Sequence, residues 1–307
     1  MNTFKIWKNT SVLKDYSHNL SFTEAKNEAE IIILGSQKVD LNEFPKVKAI
    51  FRAGVGSENI PIDYCNKANI HVEFPSEKTK ENLYEETANY AVSLVLRMAY
   101  PEQDLTEPWK KVSRNGLQHN KILVIGTGNI GSRVVNKLTS LMEVFSFDIV
   151  ADEMSTLEAL IRSANYISLH IPYTEENKYF FDQEKLAWMK KGSVLINTAR
   201  AGLVHEEYLF QQIASGRIKA AFDVFWEEPT NPENCLMGLD NILVTPHHAG
   251  ITIEANRNMA VGAAQQWITL LRGGVPPRLV NPDVWPDYQD RFERLLGFRP
   301  ADLLSKN

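Results

Sequence analysis

The stretch NKILVIGTGNIGSRVVNKL, residues 120–138, decides how the rest of the chain is interpreted. Its apolar run favours a β-strand that ends at Gly126, and the pattern becomes helical after Gly131. In such a unit the first glycine permits a tight turn. The second, here Gly128, lets a phosphate approach the backbone, and the third lets helix and strand pack closely. The helix N-terminus adds unpaired N–H groups, so the stretch predicts a dinucleotide-binding turn.

Short apolar runs alternate with amphipathic stretches along nearly the whole chain of 307 residues, as in doubly wound α/β sheets. Several runs are apolar on both faces, which is typical of parallel strands covered by helices on both sides. We therefore expect about two α/β domains. The predicted strands are EIIILGS (30–36), VKAIFRA (47–53), NIHVEF (69–74), KILVIG (121–126), EVFSFD (143–148), YISLHI (166–171), SVLINTA (193–199), IKAAFDVF (218–225) and NILVTP (241–246).

Helices are predicted between these strands. STLEALIRSA has the pattern of a capping box, in which Ser155 caps the backbone and Glu158 reaches back to it. HEEYLFQQIASG is expected to stop at Gly216, because glycine readily ends a helix. The longest helical patterns cover residues 81–99 and 254–274.

Composition limits the kinds of partner. The net charge is −5 and the chain has no block of Lys or Arg, which argues against nucleic acid. Two distant cysteines, Cys65 and Cys235, are too few for a disulfide framework or a zinc cluster. Residues 1–16 lack the apolar core of a secretory signal, and no apolar run approaches the ~20 residues that cross a bilayer. We expect a soluble, cytoplasmic protein that acts on a small molecule, without a membrane or a metal site.

An acidic residue follows the next predicted strand after the glycine turn. Asp148 ends EVFSFD, about 20 residues beyond Gly126, where a carboxylate can accept hydrogen bonds from the adenosine ribose hydroxyls. The same charge repels a 2′-phosphate, and no arginine follows in DIVADEM. The pattern favours NAD over NADP. A structural turn beside an ordinary surface Asp would show the same sequence pattern.

Three further motifs occur in order: INTARAGLVHEEYL, then AAFDVFWEEP, then VTPHHAG. Together with FRAGVGSENI, SLHIPYTEEN and PRLVNP, they resemble the D-isomer-specific 2-hydroxyacid dehydrogenase family over nearly the whole chain. The resemblance implies hydride transfer between NAD(H) and a 2-keto or D-2-hydroxy acid. It gives the catalytic roles to Arg200, Glu228 and His247 rather than to Glu227 or His248.

The chemistry of these three residues agrees with that reaction. A planar guanidinium can hold the carboxylate and the carbonyl of a 2-keto acid together, which suits Arg200. The carbonyl oxygen needs a proton donor, and histidine serves near neutral pH, which suits His247. Glu228 beside it would favour the imidazolium and orient the ring. Taken singly, each could be an ordinary ion-pair, solvated or structural residue.

The resemblance also assigns residues that hold the cofactor and the substrate. Asp223 would contact the nicotinamide carboxamide, or simply cap a strand end, and His170 could equally be structural. Arg52, in FRAGVGSENI, is expected to select a far-end anion on the substrate, or else to pair with an acidic neighbour. The expected cofactor residues are Gly126, Gly128, Asn129, Ile130, Gly131, Asp148, His170, Pro172, Thr198 and Asp223, and the expected substrate residues are Arg52, Gly54, Val55 and Gly56.

By resemblance, the fold is α/β with two doubly wound domains. A Rossmann NAD-binding domain would cover residues 93–254, and a discontinuous flavodoxin-like substrate domain would cover 1–92 and 255–307. The family is typically dimeric, so a homodimer is expected. One alternative is an NADH-sensing binding protein of the co-repressor kind, without turnover. Another is formate or phosphite oxidation, although formate dehydrogenases carry Gln where this chain has Glu228.

The sequence departs from the family pattern in several places, which leaves the substrate open. Asn89 stands where the family usually has Glu, and His248 stands where a small or apolar residue is usual. The loop from Asp148 to Ser155 is short, and the tail from residue 283 extends past the usual family end.

Overall fold

A computed structural model describes residues 4–12, 21–100, 113–231, 234 and 236–271. The chain forms two compact units. The discontinuous unit takes in the described residues up to Leu83 and from Ile251 onward, and the central unit is Tyr84–Gly250. The sequence instead placed the boundaries after residues 92 and 254. Cys235, PRLVNP and the C-terminal tail lie outside the described residues.

The discontinuous unit contains a five-stranded parallel sheet in the order β2-β1-β3-β4-β5. This is the flavodoxin-like order expected for this part of the chain. Alternate residues of a strand face opposite sides of the sheet, so Ile31 and Ile33 pack against one set of helices and Ile32 packs on the other face. The strands are β1 (Lys5–Lys8), β2 (Ser21–Phe22), β3 (Ile31–Leu34), β4 (Ala49–Arg52) and β5 (His71–Glu73), and the helices are α1 (Ile62–Lys67), the start of α2 (Glu77–Ala99) and α7 (Ile253–Leu271).

The central unit contains a six-stranded parallel sheet in the order β11-β10-β9-β8-β6-β7. Both faces are covered, because Leu123 and Ile125 belong to one buried cluster while Ile122 and Val124 belong to another. The direction of strand addition reverses beside β6, where open α/β sheets bind their ligands. The elements are β6 (Lys121–Ile125), α3 (Gly131–Leu138), β7 (Glu143–Phe147), α4 (Leu157–Ser163), β8 (Tyr166–Leu169), α5 (Gln183–Trp188), β9 (Val194–Asn197), α6 (Glu206–Ala214), β10 (Lys219–Phe222) and β11 (Ile242–Val244).

The structure confirms the predicted α/β class and corrects two details. Strands β1 and β2 were not predicted, because KIWK carries lysines and β2 has only two residues. The capping box is wrong, because Ser155 lies inside a 3₁₀ turn and Glu158 instead pairs with Arg162. In contrast, Gly216 does follow α6 with a positive φ of 68°.

No helix within the described ranges is both long enough and apolar enough to cross a membrane.

Candidate active site

The order of strands in the central sheet divides the predicted site residues into two neighbouring groups. The turn glycines follow β6, Asp148 follows β7 and His170 follows β8, and these three strands are adjacent. Arg200 follows β9, Glu228 lies in the loop after β10, and His247 follows β11, which are again adjacent. All lie at the carboxyl ends of parallel strands, which is where such sheets place their functional groups.

The glycines of the turn are required for different reasons. Gly126 has a φ of 93°, and a Cβ there would lie 2.7 Å from the His170 backbone. A Cβ on Gly131 would lie 1.8 Å from the Gly126 carbonyl oxygen, so this glycine lets α3 begin against the strand. Around Gly128, by contrast, a Cβ would meet nothing within 4 Å. Packing therefore does not require Gly128, whereas the close approach of a phosphate to its backbone would.

Two loop residues assigned to the cofactor lie at the mouth of this turn. Asn129 is exposed, and its carbonyl oxygen accepts a hydrogen bond from the Arg133 guanidinium one helical turn later. Ile130 precedes the first residue of α3 and packs partly against the core. The N-terminus of α3 thus directly follows a turn whose central glycine has open space at its Cβ position.

Asp148 holds the glycine turn in place. Its Oδ2 accepts hydrogen bonds from the Thr127 N–H at 2.9 Å and the Thr127 hydroxyl at 2.7 Å, and its Oδ1 accepts from the Val150 N–H. These bonds, led by the Thr127 N–H, lower the pKa of Asp148, so it is an anion at neutral pH. The Asp152 carboxylate accepts from the Asp148 N–H at 2.7 Å, which places a second negative charge here that the sequence analysis missed.

His170 and Pro172 lie just beyond β8. Burial lowers the pKa of His170 to about 4, so the ring is neutral, and its Nε2 lies 2.8 Å from the Ser168 hydroxyl. The exposed Pro172 accepts a hydrogen bond from Asn177 through its carbonyl oxygen. His170 therefore offers a neutral ring and no charge to the cofactor side of the sheet.

The loop after β9 presents Arg200. The buried Asn197 side chain accepts from the Ala199 N–H and donates to the Arg200 carbonyl, which fixes the turn. The Arg200 guanidinium donates to the Ala199 carbonyl at 2.7 Å and remains partly exposed. The buried Thr198 hydroxyl has no hydrogen-bond partner among the described residues. An unsatisfied buried hydroxyl at a strand end is a group that a bound ligand could satisfy.

Glu228 and His247 form the central pair. The His247 Nδ1 lies 2.6 Å from the Glu228 Oε2, and the other carboxylate oxygen accepts from the Phe225 N–H. Burial acts to raise the pKa of Glu228, but the hydrogen bond and charge of His247, the Phe225 N–H and the Arg200 charge together lower it. An ionised carboxylate can only accept, so His247 donates from Nδ1 and its Nε2 is left for a ligand. Both side chains are about one-quarter exposed, at 28% and 23%.

Asp223 anchors the loop that carries His247. Its fully buried carboxylate accepts from the Thr245 hydroxyl at 2.7 Å and from the N–H groups of His248 and Ala249. His247 itself has a φ of 51°, a left-handed conformation that a non-glycine residue adopts only under restraint. Asp223 supplies part of that restraint. The contact with the nicotinamide carboxamide stays a prediction.

The predicted substrate turn lies in the discontinuous unit and is held by Arg52. This arginine is only 3% exposed, and it donates to the carbonyls of Ala53 at 2.7 Å, Gly56 at 2.9 Å and Leu34 at 3.4 Å. Gly54 has a φ of 152°, and a Cβ there would lie 2.5 Å from the Arg52 Nη1. Among the described residues, the N–H groups of Val55 and Gly56 meet no acceptor.

Comparisons with known proteins place this chain beside one family. A family model for the D-isomer specific 2-hydroxyacid dehydrogenase NAD-binding domain matches residues 90–249. A glyoxylate reductase from Thermofilum pendens is 30% identical over 281 residues, which cover 84% of this chain and 83% of that protein.

A longer relative and a solved structure resemble the same chain. A D-3-phosphoglycerate dehydrogenase from Methanocaldococcus jannaschii is 30% identical over 302 residues, and the match covers 92% of this chain but only 56% of that protein. The crystal structure of a D-lactate dehydrogenase from Aquifex aeolicus, complexed with NAD and lactic acid, has a TM-score of 0.72 at 23% identity. It covers 90% of this chain and 98% of that one, and it supports the fold.

Proposed function

The chain belongs to the D-isomer-specific 2-hydroxyacid dehydrogenase family, and from this premise we propose that Arg200, Glu228 and His247 catalyse the reduction of a short 2-keto acid by NADH. The family makes it an NAD-dependent oxidoreductase that acts on CH–OH groups. The observation that carries the residue assignment is the 2.6 Å contact between His247 and Glu228 beside the Arg200 charge.

Proton donation is the role of His247. Glu228 occupies Nδ1 and fixes the tautomer, which leaves Nε2–H of the imidazolium to donate to the carbonyl oxygen of the substrate. The nicotinamide ring of bound NADH supplies the hydride. In the reverse direction, the neutral His247 accepts the hydroxyl proton through the same nitrogen.

Arg200 orients the substrate. Its guanidinium can bind a carboxylate and a neighbouring carbonyl oxygen as a planar fork, which an ammonium cannot copy. The Asn197 side chain fixes the turn from which Arg200 extends. In this proposal the positive charge also stabilises the negative charge that develops on the carbonyl oxygen.

The residues assigned to the cofactor fit a dinucleotide. Gly128 leaves open space at its Cβ position, the Thr198 hydroxyl is buried without a partner in the described structure, and Asp148 is ionised. The Gly126–Gly131 turn would hold the pyrophosphate, and the carboxylate of Asp148 would accept from the ribose. Together, Asp148 and Asp152 would repel a 2′-phosphate, which supports the preference for NAD over NADP.

The predicted turn Gly54–Gly56 is proposed to bind the substrate carboxylate. The Arg52 guanidinium engages the carbonyls of Ala53 and Gly56, while the N–H groups of Val55 and Gly56 have no acceptor in the described structure. Successive backbone N–H groups of a turn that lack a protein acceptor can form a concavity that binds an anion.

The same geometry bears on the substrate class. Arg52 is buried, and its Nε and Nη1 donate to backbone carbonyls, so we propose that it shapes the turn rather than selecting a far-end phosphate or second carboxylate. We therefore place short, singly charged keto acids such as glyoxylate and pyruvate first. Glyoxylate is also the substrate in the name of the Thermofilum pendens relative.

The domain roles follow from these residues. We propose that the central unit binds NAD and that the discontinuous unit supplies the substrate turn. The expected homodimer stays a prediction, which sedimentation velocity of the full chain can check.

A substrate panel tests the proposal. Glyoxylate, pyruvate, hydroxypyruvate, a dicarboxylic keto acid and a phosphorylated keto acid are each mixed with NADH, and nicotinamide absorbance is followed. Turnover that is fastest with a short keto acid supports the proposal. Tight NADH binding without turnover of any keto acid would favour an NADH-sensing binding protein. Oxidation of formate with NAD would favour a formate dehydrogenase.

A further inference from the structure

The residue beside His247 makes a contact that no assigned role explains. The Nε2 of His248 lies 2.6 Å from the Oη of Tyr90, which is on α2. The two rings meet edge to face, with centroids 5.1 Å apart and an interplanar angle of 89°. Both residues belong to the central unit, and 158 positions separate them in the chain. The pair forms one specific hydrogen bond rather than a loose aromatic contact.

This contact acts on the strained part of the catalytic loop. His247 has a left-handed backbone conformation, which costs ~1–3 kcal/mol for such a residue unless neighbouring contacts fix it. Asp223 holds the backbone from β10, through the N–H groups of His248 and Ala249. Tyr90 holds the side chain of His248 from a different element, α2. His248 is thus restrained by its backbone and its side chain at once, immediately after His247.

We infer that Tyr90 and His248 are positioning residues, whose hydrogen bond fixes the orientation of the His247 ring against Glu228. This inference rests on the proposed function, because it assigns the pair a role in proton donation by His247. Neither residue is given a contact with the substrate. Their effect passes through the backbone of residues 247–248.

The magnitudes separate this role from a purely structural one. His248 is exposed, and a hydrogen bond there contributes little to the free energy of unfolding, because water competes for both groups. A small misplacement of a proton donor can nevertheless slow the chemical step strongly, by up to ~100-fold per ångström. A positioning pair should therefore change kcat more than it changes stability, KM or the affinity for NADH.

A double-mutant cycle tests the pair in the full chain. Tyr90→Phe removes only the hydroxyl and should lower kcat about threefold to tenfold, as expected for one lost hydrogen bond. His248→Ala should lower kcat by a similar factor, and the double variant should be no slower than either single one. In all three variants, the affinity for NADH and the KM should stay within about twofold of the wild-type values. The urea midpoint should be unchanged. Tyr208→Phe is the matched control, because Tyr208 packs against His205, another Tyr–His ring contact, and should leave kcat unchanged.

Nuclear magnetic resonance of the histidine rings gives a readout that does not need turnover. In the Tyr90→Phe variant, the ring resonances of both His248 and His247 should move, whereas those of His119 and His205 should not. If the wild-type chain reduces no keto acid but the His247 resonance still moves, the positioning inference stands and the proposed reaction fails. Additive losses in the cycle, or a His247 resonance that does not respond to Tyr90→Phe, would overturn the inference.

Discussion

Two strand-end loops of this molecule are each organised by one buried charge, with opposite signs. After β11, the carboxylate of Asp223 collects the N–H groups of His248 and Ala249. After β4, the guanidinium of Arg52 collects the carbonyls of Ala53 and Gly56. In the first loop the backbone donors are bonded to Asp223, and the His247 side chain is left partly exposed. The second consumes backbone acceptors and leaves two N–H groups of the turn without an acceptor in the described structure.

The difference shows how to interpret a charged residue at the end of a strand. Asp223 and Arg52 are 0% and 3% exposed, and their hydrogen bonds stay within the protein. Glu228 and His247 are 23% and 28% exposed; both Glu228 oxygens are bonded within the protein, whereas the His247 Nε2 can face a ligand. A buried charge must be satisfied by its surroundings, so it shapes a loop, whereas a partly exposed one can act on a substrate.

The largest expected effect is that of His247→Asn, which removes the group that the first loop presents. Turnover should fall by a factor of ~100–10,000, the usual contribution of a general acid, while the affinity for NADH stays nearly unchanged. Steady-state kinetics and calorimetry with NADH check this. His248→Ala should be much milder, and equal losses in the two variants would show that the proton donor is misassigned.

The anchor of the first loop should matter for both stability and rate. In Asp223→Asn, the amide nitrogen must face a backbone N–H, so at least one buried donor loses its acceptor, at a cost of ~1–3 kcal/mol in the free energy of unfolding. The kcat should fall by at least about tenfold, because the restraint on His247 is weakened. Thr245→Val removes only one of the three contacts of Asp223 and should have a clearly smaller effect. Equal effects would mean that the backbone contacts are unimportant.

The anchor of the second loop should change substrate affinity uniformly. Arg52→Lys loses the planar fork that spans the carbonyls of Ala53 and Gly56, so the turn should loosen. We expect KM to rise about tenfold for every keto acid, the loss of roughly one charge-assisted hydrogen bond. Initial rates with singly and doubly charged substrates measure this. A loss confined to phosphorylated or dicarboxylic substrates would restore the far-end selector predicted from the sequence.

Glu228→Gln should change how the free energy of unfolding depends on pH, because it removes the charge of Glu228. The pKa of Glu228 lies below its usual value of 4.5 in the folded protein, so its stabilising effect is present above that value. The effect is lost as the pH falls through the lower, folded pKa. Urea unfolding should show a wild-type advantage near neutral pH that shrinks once the pH falls below 4.5. In activity assays, the kcat of reduction should fall, because His247 loses the carboxylate that orients its ring.

The smallest expected effect concerns the cofactor. Asp148→Asn keeps an acceptor for the Thr127 N–H but removes the charge that repels a 2′-phosphate. The ratio of NADPH to NADH dissociation constants should narrow by about fivefold, as for one partly screened charge contact of ~1 kcal/mol. Asp148→Ala should narrow it too, and should also weaken NADH binding because Thr127 loses its partner. Equal affinity of the wild-type chain for both cofactors would contradict the assignment.

The sequence allowed the α/β class and the cofactor to be predicted because strand patterns and turn glycines are local signals. The glycine turn is one example, since strand, turn and helix all lie within residues 120–138. Strands β1 and β2 carried too little apolar pattern to be recognised. The capping box at Ser155 failed because a local motif competes with the packing that sets where α4 begins.

The contacts that position the site could not be predicted from the sequence. Asp223 was singled out, but its bonds to the loop of residues 245–249 depend on the pairing of β10 with β11. Likewise, nothing in the sequence distinguishes Tyr90 from other helix residues, because its contact with His248 depends on the fold. Burial of Arg52 is also a tertiary property, so the sequence left open both a selector role and a pairing with an acidic neighbour.

A labelled cofactor tests the central claim most directly. The full chain is incubated with a short keto acid and NADH that carries deuterium in the transferred position at C4, and the product is analysed by mass spectrometry and chiral separation. We predict one deuterium at C2 of the D-2-hydroxy acid. The His247→Asn variant should form no deuterated product but should still bind NADH. Tight binding of NADH by the wild-type chain with no deuterated product from any keto acid would contradict the account.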